Sequence, residues 1–325
     1  MDRWTASDIP SLQGRTAVVT GTGGLGLEDA IALARAGARV ILAGRSPAKG
    51  IAATRHIRQT VAGSKASFEL LDLASLDSIE AFGARLRLGE LLEGRLDLLI
   101  NNAGVMTPPK RKQTANGFEL QFGTNYLGHF ALTAQLLPLL RRSSNARVVT
   151  VSSVAARAGV INFDDLQSQV AYKPMVAYGQ SKLACLMFAL ELQRRSDAGG
   201  WGITSIAAHP GISRTELLPN GAGLWSLPGL ARRFMWFLFQ PPAQGALPTL
   251  FAATSPKAVG GGYYGPDRLG ETRGHPTEAK LPTQALNEAH AAQLWKESQR
   301  LTDNAFPVGP TLAAPPSSIW EMASR

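Results

Sequence analysis

Two side chains invite a chemical reading first. Tyr178 and Lys182, in YGQSK, stand four residues apart, which places them on one face of a helix. A free tyrosine titrates near pH 10, too high for a base at neutral pH, and bringing it near pH 7 takes roughly 4 kcal/mol. One cation at about 4 Å, in an effective dielectric of about 20, supplies about that much. Lys182 therefore suffices in principle to make Tyr178 a proton-transfer group. Tyr172 lacks such a partner, because Val176 stands four residues on.

The second feature is the glycine run TGTGGLG, Thr20 to Gly26. Glycines allow a sharp turn and close approach of backbone to a pyrophosphate, and a helix N-terminus behind them offers free N–H groups. Gly21, Gly23 and Gly26 satisfy G-x-G-x-x-G, with Gly24 and Leu25 completing the loop. The run lies between an apolar strand-like segment and a helix-like one, as dinucleotide binding requires; a purely structural turn is the alternative. The second strand ends at Gly44-Arg45, 19 residues past Gly26. An acid here would hold ribose hydroxyls and repel a 2′-phosphate, whereas arginine pairs with one. Arg45 thus favours NADP(H), with NAD(H) the alternative; an exposed loop cation is the other reading of this residue.

These groups need a scaffold, and the chain offers a repeating one. Thr16–Thr20, Arg39–Ala43, Ser67–Leu71, Leu96–Ile100, Arg147–Val151 and Ile203–Ala208 read as short buried strands. Helical stretches lie between them: Leu25–Ala36, a segment from Pro47, then roughly 75–88, 117–141 and 176–195. Such alternation implies a doubly wound α/β fold, a parallel sheet with helices on both faces. Further on, Pro241–Thr254 and Leu281–Leu301 read as helices and Gly260–Gly265 as a short strand, for about seven strands in all. Residues 1–305 are expected to form one domain, and the proline-bearing tail 306–325 to be poorly ordered. Within the domain, 217–240 is rich in Leu, Trp and Phe and is expected to be a C-terminal apolar lid over the substrate, against ordinary core helix or a membrane-surface patch.

Composition narrows the classes. With 325 residues, 45% hydrophobic and 18% charged, the chain buries a substantial core without disulfides. Its one cysteine, Cys185, excludes an intrachain disulfide and a cysteine zinc site, and reads as a packed thiol. No pair among His56, His129, His209, His275 and His290 has metal spacing, so no metal is expected; His129 and His209 read as packing residues. The net charge of +9 suits an anionic ligand, but the basic residues are scattered, which argues against nucleic acid. The N-terminus lacks a secretory pattern, and no apolar run reaches the roughly 18 residues of a membrane span. A cytoplasmic protein is expected, with contact to a membrane surface left open.

The segments TGTGGLG, LDL at 71–73, NNAG at 101–104, FGTNYLGHF at 122–130, VVTVSS at 148–153, YGQSK at 178–182 and HPG at 209–211 follow one another in a familiar order. Over about residues 14–215 the chain resembles the short-chain dehydrogenase/reductase family, in its retinol-dehydrogenase-like and protochlorophyllide-reductase-like branch. The resemblance implies a Rossmann sheet and a carbonyl-reductase type of oxidoreductase, with hydride from nicotinamide and a proton from Tyr178; the apolar segment 217–240 adds the expectation that its small-molecule substrate is a bulky apolar alcohol or carbonyl compound. It makes Tyr178 the general acid/base, Lys182 its partner and ribose ligand, Ser153 the donor to the substrate oxygen, and Asn125 the holder of a relay water. It gives Asp72 and Leu73 to the adenine side, Asn102, Ala103 and Gly104 to the cofactor wall, and Pro210, Gly211 and Thr215 to the nicotinamide border. Related folds often form homodimers or homotetramers through the helices expected at 117–141 and 176–195. A non-catalytic dinucleotide sensor, or an isomerase or dehydratase using transient hydride transfer, remains the alternative. Two departures stand out: the loop is one residue shorter than the family's G-x-x-x-G-x-G, and Ser153 lies 25 residues before Tyr178, a longer gap than in many members.

Overall fold

The computed structural model describes residues 3–89, 94–212 and 240–307. The strands are β1 (Thr16–Thr20), β2 (Arg39–Gly44), β3 (Ala66–Leu70), β4 (Leu98–Asn101), β5 (Ala146–Val151), β6 (Ile203–Ala208), β7 (Tyr263–Arg268) and β8 (Arg273–Glu278). They form one sheet in the order β3-β2-β1-β4-β5-β6-β7-β8. The first seven are parallel, and β8 runs antiparallel to β7. The order reverses between β1 and β4, the place where such sheets open a ligand crevice at their carboxyl ends.

Side chains alternate between two cores, as strand geometry dictates. Val18, Ile41, Leu99, Val148 and Ala207 point to one, with α3 (Leu76–Leu88), α4 (Gly128–Leu140), α5 (Pro174–Gly199) and α7 (Glu288–Thr302). Val19, Leu42, Ile100, Val149 and Ile206 point to the other, with α1 (Gly24–Arg35), α2 (Pro47–Thr60) and α6 (Pro242–Thr254). Both faces of the central strands are therefore buried, which explains their continuous apolar runs.

Three expectations change. The sheet has eight strands rather than about seven, because RGHPTE carries no apolar alternation yet pairs along the edge; Pro276 sits there opposite Pro266, a place where proline is tolerated. The last helix begins at Glu288, capped by the Asn287 side chain, and a 3-10 turn (Thr283–Leu286) precedes it. Phe306, placed at the head of the expected disordered tail, packs instead against Phe130, Trp201 and Trp295. Trp295 in turn stacks on Phe188, so α7 covers part of α5 within the chain. The rest of the expected tail, 308–325, and residues 213–239 of the expected lid region lie outside the described residues.

Candidate active site

One cavity of about 960 Å³ opens at the carboxyl ends of the strands. Its walls bring together Gly21, Gly23, Gly24, Leu25, Asn102, Ala103, Gly104, Ser153, Tyr178, Lys182, Pro210 and Gly211. These residues come from five separate stretches of sequence, so the fold converges them on one space.

The glycine wall is built by close approach. Gly21 has φ +100°, and a Cβ there would stand 2.9 Å from Asn102 Nδ2; at Gly26 the same test gives 2.6 Å. Gly24 has φ +53°, whereas Gly23 is extended and an added Cβ meets nothing within 4 Å. The chain's own geometry thus requires Gly21, Gly24 and Gly26, and Gly23 serves as the N-cap of α1. That cap supplies no side-chain hydrogen bond, leaving the first N–H groups of α1 at the cavity rim.

Beneath this wall lies a buried polar post. The Thr20 hydroxyl accepts from the Asn102 and Ala103 N–H groups, at 2.9 and 3.0 Å. His129 contacts the same oxygen through Nε2 at 2.9 Å and the Asn125 carbonyl through Nδ1 at 2.9 Å. A carbonyl only accepts, so Nδ1 carries the proton and Nε2 accepts from Thr20. Burial lowers the His129 pKa to about 4, consistent with a neutral ring.

Tyr178 and Lys182 lie on α5 and are nearly buried, at 7% and 5% exposure. Lys182 Nζ donates to the Val151 carbonyl at 2.9 Å, which pins the ammonium beside the end of β5. Among the described residues nothing hydrogen-bonds the Tyr178 hydroxyl, and the residue lines the cavity. Ser153 caps the 3-10 turn Val154–Ala158, accepting from Ala155 N–H at 3.2 Å. Asn125 sits in a π-helical turn, Phe122–Leu127, that leads into α4; such turns often mark functional sites. Its amide accepts from Val105 N–H at 2.7 Å and donates to the Val105 carbonyl and Ser181. A Cβ at Gly104 would stand 3.1 Å from Asn125 Oδ1 and 3.7 Å from Lys182 Nζ, so both groups converge on that glycine.

Several expected residues stand apart from the cavity. Arg45 is exposed at the end of β2 and is not in its wall. Asp72 is half-buried and accepts from Ala74 N–H at 3.0 Å, closing its own turn. Leu73 belongs to the core, where its carbonyl crowds Gly128. Gly26 and Asn125 support the wall from behind, and Thr215 lies outside the described residues. Tyr172 bonds Gln121 and the Pro108 carbonyl, away from the cavity. Cys185 is buried, with Sγ 3.1 Å from the Asn125 carbonyl, and burial raises its pKa.

Sequence reasoning missed other contributors. Lys49 and His56, on one face of α2, line the cavity beside Thr22 and Leu27; their spacing of seven residues was the available signal. His209 was expected only to pack. Its Nδ1 accepts from Gly211 N–H at 3.3 Å and its Nε2 meets Glu271 Oε2 at 2.9 Å. Burial lowers the His209 pKa against the pull of Glu271. For Glu271 itself burial opposes charge, but the bonds from His209, Lys280 N–H and Arg157 prevail and hold the carboxyl down to about 2.

Residues 15–221 match the short chain dehydrogenase family. The chain is 42% identical to a polyprenol dehydrogenase of Mus musculus, over 90% of this chain and 85% of that one. It is 41% identical to retinol dehydrogenase 13 of the same species, over 92% and 87%. Among solved structures, an uncharacterized protein from Mycobacterium paratuberculosis shares 39% identity and a TM-score of 0.78, covering 94% of this chain and all of that one. Pseudomonas aeruginosa RhlG, solved with NADP, shares 26% identity and a TM-score of 0.60, over 78% and 94%. These relatives carry the retinol-dehydrogenase side of the expected branch, and the protochlorophyllide-reductase side draws no support from them. With the glycine loop, the tyrosine–lysine pair and the sheet order in one cavity, the chain belongs to the short chain dehydrogenase family and is an oxidoreductase of that kind.

Proposed function

We propose that the protein is an NADP(H)-preferring oxidoreductase that interconverts an alcohol with its ketone or aldehyde on a bulky apolar substrate. The observation that carries this is the shared cavity, in which Tyr178, Lys182 and Ser153 face the glycine loop. The residues fit a dinucleotide: Gly21 and Gly26 leave no room for a side chain of their own, and the N-terminus of α1, with no side-chain cap, supports phosphate. When bound, the nicotinamide supplies or takes the hydride. In carbonyl reduction Tyr178 donates its phenolic proton to the oxygen, and Ser153 donates a hydrogen bond to the same atom. Lys182 places positive charge one helical turn from Tyr178 and binds the ribose, and Asn125 braces Gly104 and holds the relay water toward Lys182. In this reading Pro210 and Gly211 border the nicotinamide.

The preference for NADP(H) is supported by Arg45 and Lys49, cations after β2 and on α2, and by the absence of an acid at the end of β2. The apolar substrate class is supported by the relatives named retinol and polyprenol dehydrogenase, and by the composition of 217–240. On either side of that segment, Ile212 lines the cavity and its carbonyl accepts from Gln240 N–H at 3.2 Å. In this reading it covers the substrate. Among the described residues no helix is long and apolar enough to cross a membrane.

The test is NADPH consumption across a panel of apolar ketones and aldehydes, repeated with NADH. Turnover with several members, faster with NADPH, is the expected result. Binding of NADPH without turnover of any member would favour the sensor, and purified protein carrying tightly held nucleotide would favour the isomerase or dehydratase.

A further inference from the structure

The turn between β7 and β8 holds an unusual conformation. Leu269, Gly270 and Glu271 all have positive φ, at +50°, +64° and +66°. Left-handed backbone is unfavourable for residues with a Cβ, and a run of it persists only where the surroundings enforce it. Here the enforcing contacts converge on one carboxylate. Glu271 accepts from Arg157 Nη2 at 2.6 Å, His209 Nε2 at 2.9 Å and Lys280 N–H at 3.0 Å. Arg157 also donates to the Gly270 carbonyl at 3.0 Å, gripping the turn at a second point. An exposed ion pair contributes little, but this carboxylate is only 19% exposed and has three donors.

The two side chains it joins lie just outside the cavity, on the segments after β5 and β6 that supply Ser153 and Pro210–Gly211 to its wall. Arg157 lies on the 3-10 turn that Ser153 caps. His209 orders the segment that follows β6, accepting from Gly211 N–H, while Ile212 N–H donates to the Thr272 carbonyl at 2.8 Å. A Cβ on Gly211 would stand 2.3 Å from that same carbonyl, so the hairpin turn presses directly on this segment. We propose that Glu271 is a positioning residue that sets the spacing between the Ser153 wall and the Pro210–Gly211 wall, and so aligns substrate oxygen with cofactor. The inference rests on the roles given above to Ser153 and to Pro210–Gly211.

The experiment compares Glu271→Ala, Glu271→Gln, Arg157→Met and His209→Asn in the full chain. NADPH affinity is read by its fluorescence, KM and kcat by reduction of decanal or of the best carbonyl in the panel, and folding by melting temperature. Arg157→Met is expected to raise the carbonyl KM about fivefold and leave the NADPH Kd within about twofold. His209→Asn is expected to show the reverse split, and Glu271→Ala to raise both by about tenfold and lower kcat. Glu271→Gln, which keeps an acceptor oxygen, is expected to recover part of each loss. A loose fold would not separate the two constants in this way. Unchanged constants in Glu271→Ala, or parallel losses in all four variants that track melting temperature, would overturn the proposal. If the native chain binds NADPH yet reduces no carbonyl, the oxidoreductase reading fails; an unchanged NADPH Kd in Glu271→Ala and His209→Asn would then overturn the Glu271 role separately.

Discussion

The six strands β1–β6 and the β7–β8 hairpin belong to one sheet but are held by different forces. Val18, Val19, Ile41, Leu42, Leu99 and Val148 are fully buried, and the central strands sit between two apolar cores. The hairpin is apolar only over Tyr263 and Tyr264, and beyond them polar contacts take over. Gln240 donates to the Pro210 carbonyl at 2.6 Å, Gln244 to the Gly274 carbonyl at 2.6 Å, and Glu271 accepts its three donors. Apolar burial therefore fixes the scaffold, while directed hydrogen bonds fix the rim of the site. Damage to the first should read out as lost stability, and damage to the second as lost alignment with the fold kept.

The largest effect is expected in the scaffold. Phe130 is fully buried and meets Tyr126, Phe188, Trp295 and Phe306. Phe130→Ala should cost about 3–5 kcal/mol in urea unfolding. A loss below about 1 kcal/mol would mean that the aromatic cluster carries no weight.

Next comes the one titrating group buried inside the scaffold post. His129 has its pKa lowered to about 4, against an unfolded value near 6.5. Above pH 6.5 neither state binds the proton; between about 6.5 and 4 the unfolded state binds it and the native state does not. Stability from this residue is thus retained at neutral pH and lost as pH falls through that window, by about 3 kcal/mol in all. The difference in unfolding free energy between native protein and His129→Gln should shrink from pH 7.5 to pH 4.5. A difference that does not change with pH would refute the neutral, buried ring.

At the rim the costs are smaller and fall elsewhere. Gln240→Ala removes bonds to Pro210 and Gly274 and should cost about 1–2 kcal/mol of stability. It should also weaken NADPH binding, measured by fluorescence titration; a stability loss as large as that of Phe130→Ala would erase the contrast between the two regions. Smallest is Arg45→Asp, expected to weaken NADPH about tenfold, roughly 1.4 kcal/mol, and to spare NADH. An unchanged ratio of the two affinities would remove Arg45 from cofactor choice.

The same division explains what the sequence revealed. Runs such as TAVVT and VVTVSS announce parallel strands because both faces are buried, and TGTGGLG announces its turn because only glycine tolerates those approaches. Tyr178, Lys182, Ser153 and Asn102–Gly104 were legible as motifs, and the fold places them in one cavity. Of the two glycine spacings in the loop, the shortened one, Gly21, Gly24 and Gly26, is the one the backbone requires, whereas an added Cβ at Gly23 meets nothing within 4 Å. Strand β8 was invisible because it forms by edge pairing without an apolar period. Glu271 and His209 were invisible as partners because they lie 62 residues apart and meet only through sheet topology. Long-range polar pairing leaves no local trace, whereas burial does.

The most direct test of the chemistry is Tyr178→Phe, with NADPH affinity and carbonyl turnover measured on the same preparation. The phenyl ring keeps the packing and removes only the hydroxyl. NADPH Kd is predicted to stay within about threefold while kcat falls by about a hundredfold or more. Turnover near that of the native protein, with cofactor still bound, would contradict proton transfer by Tyr178.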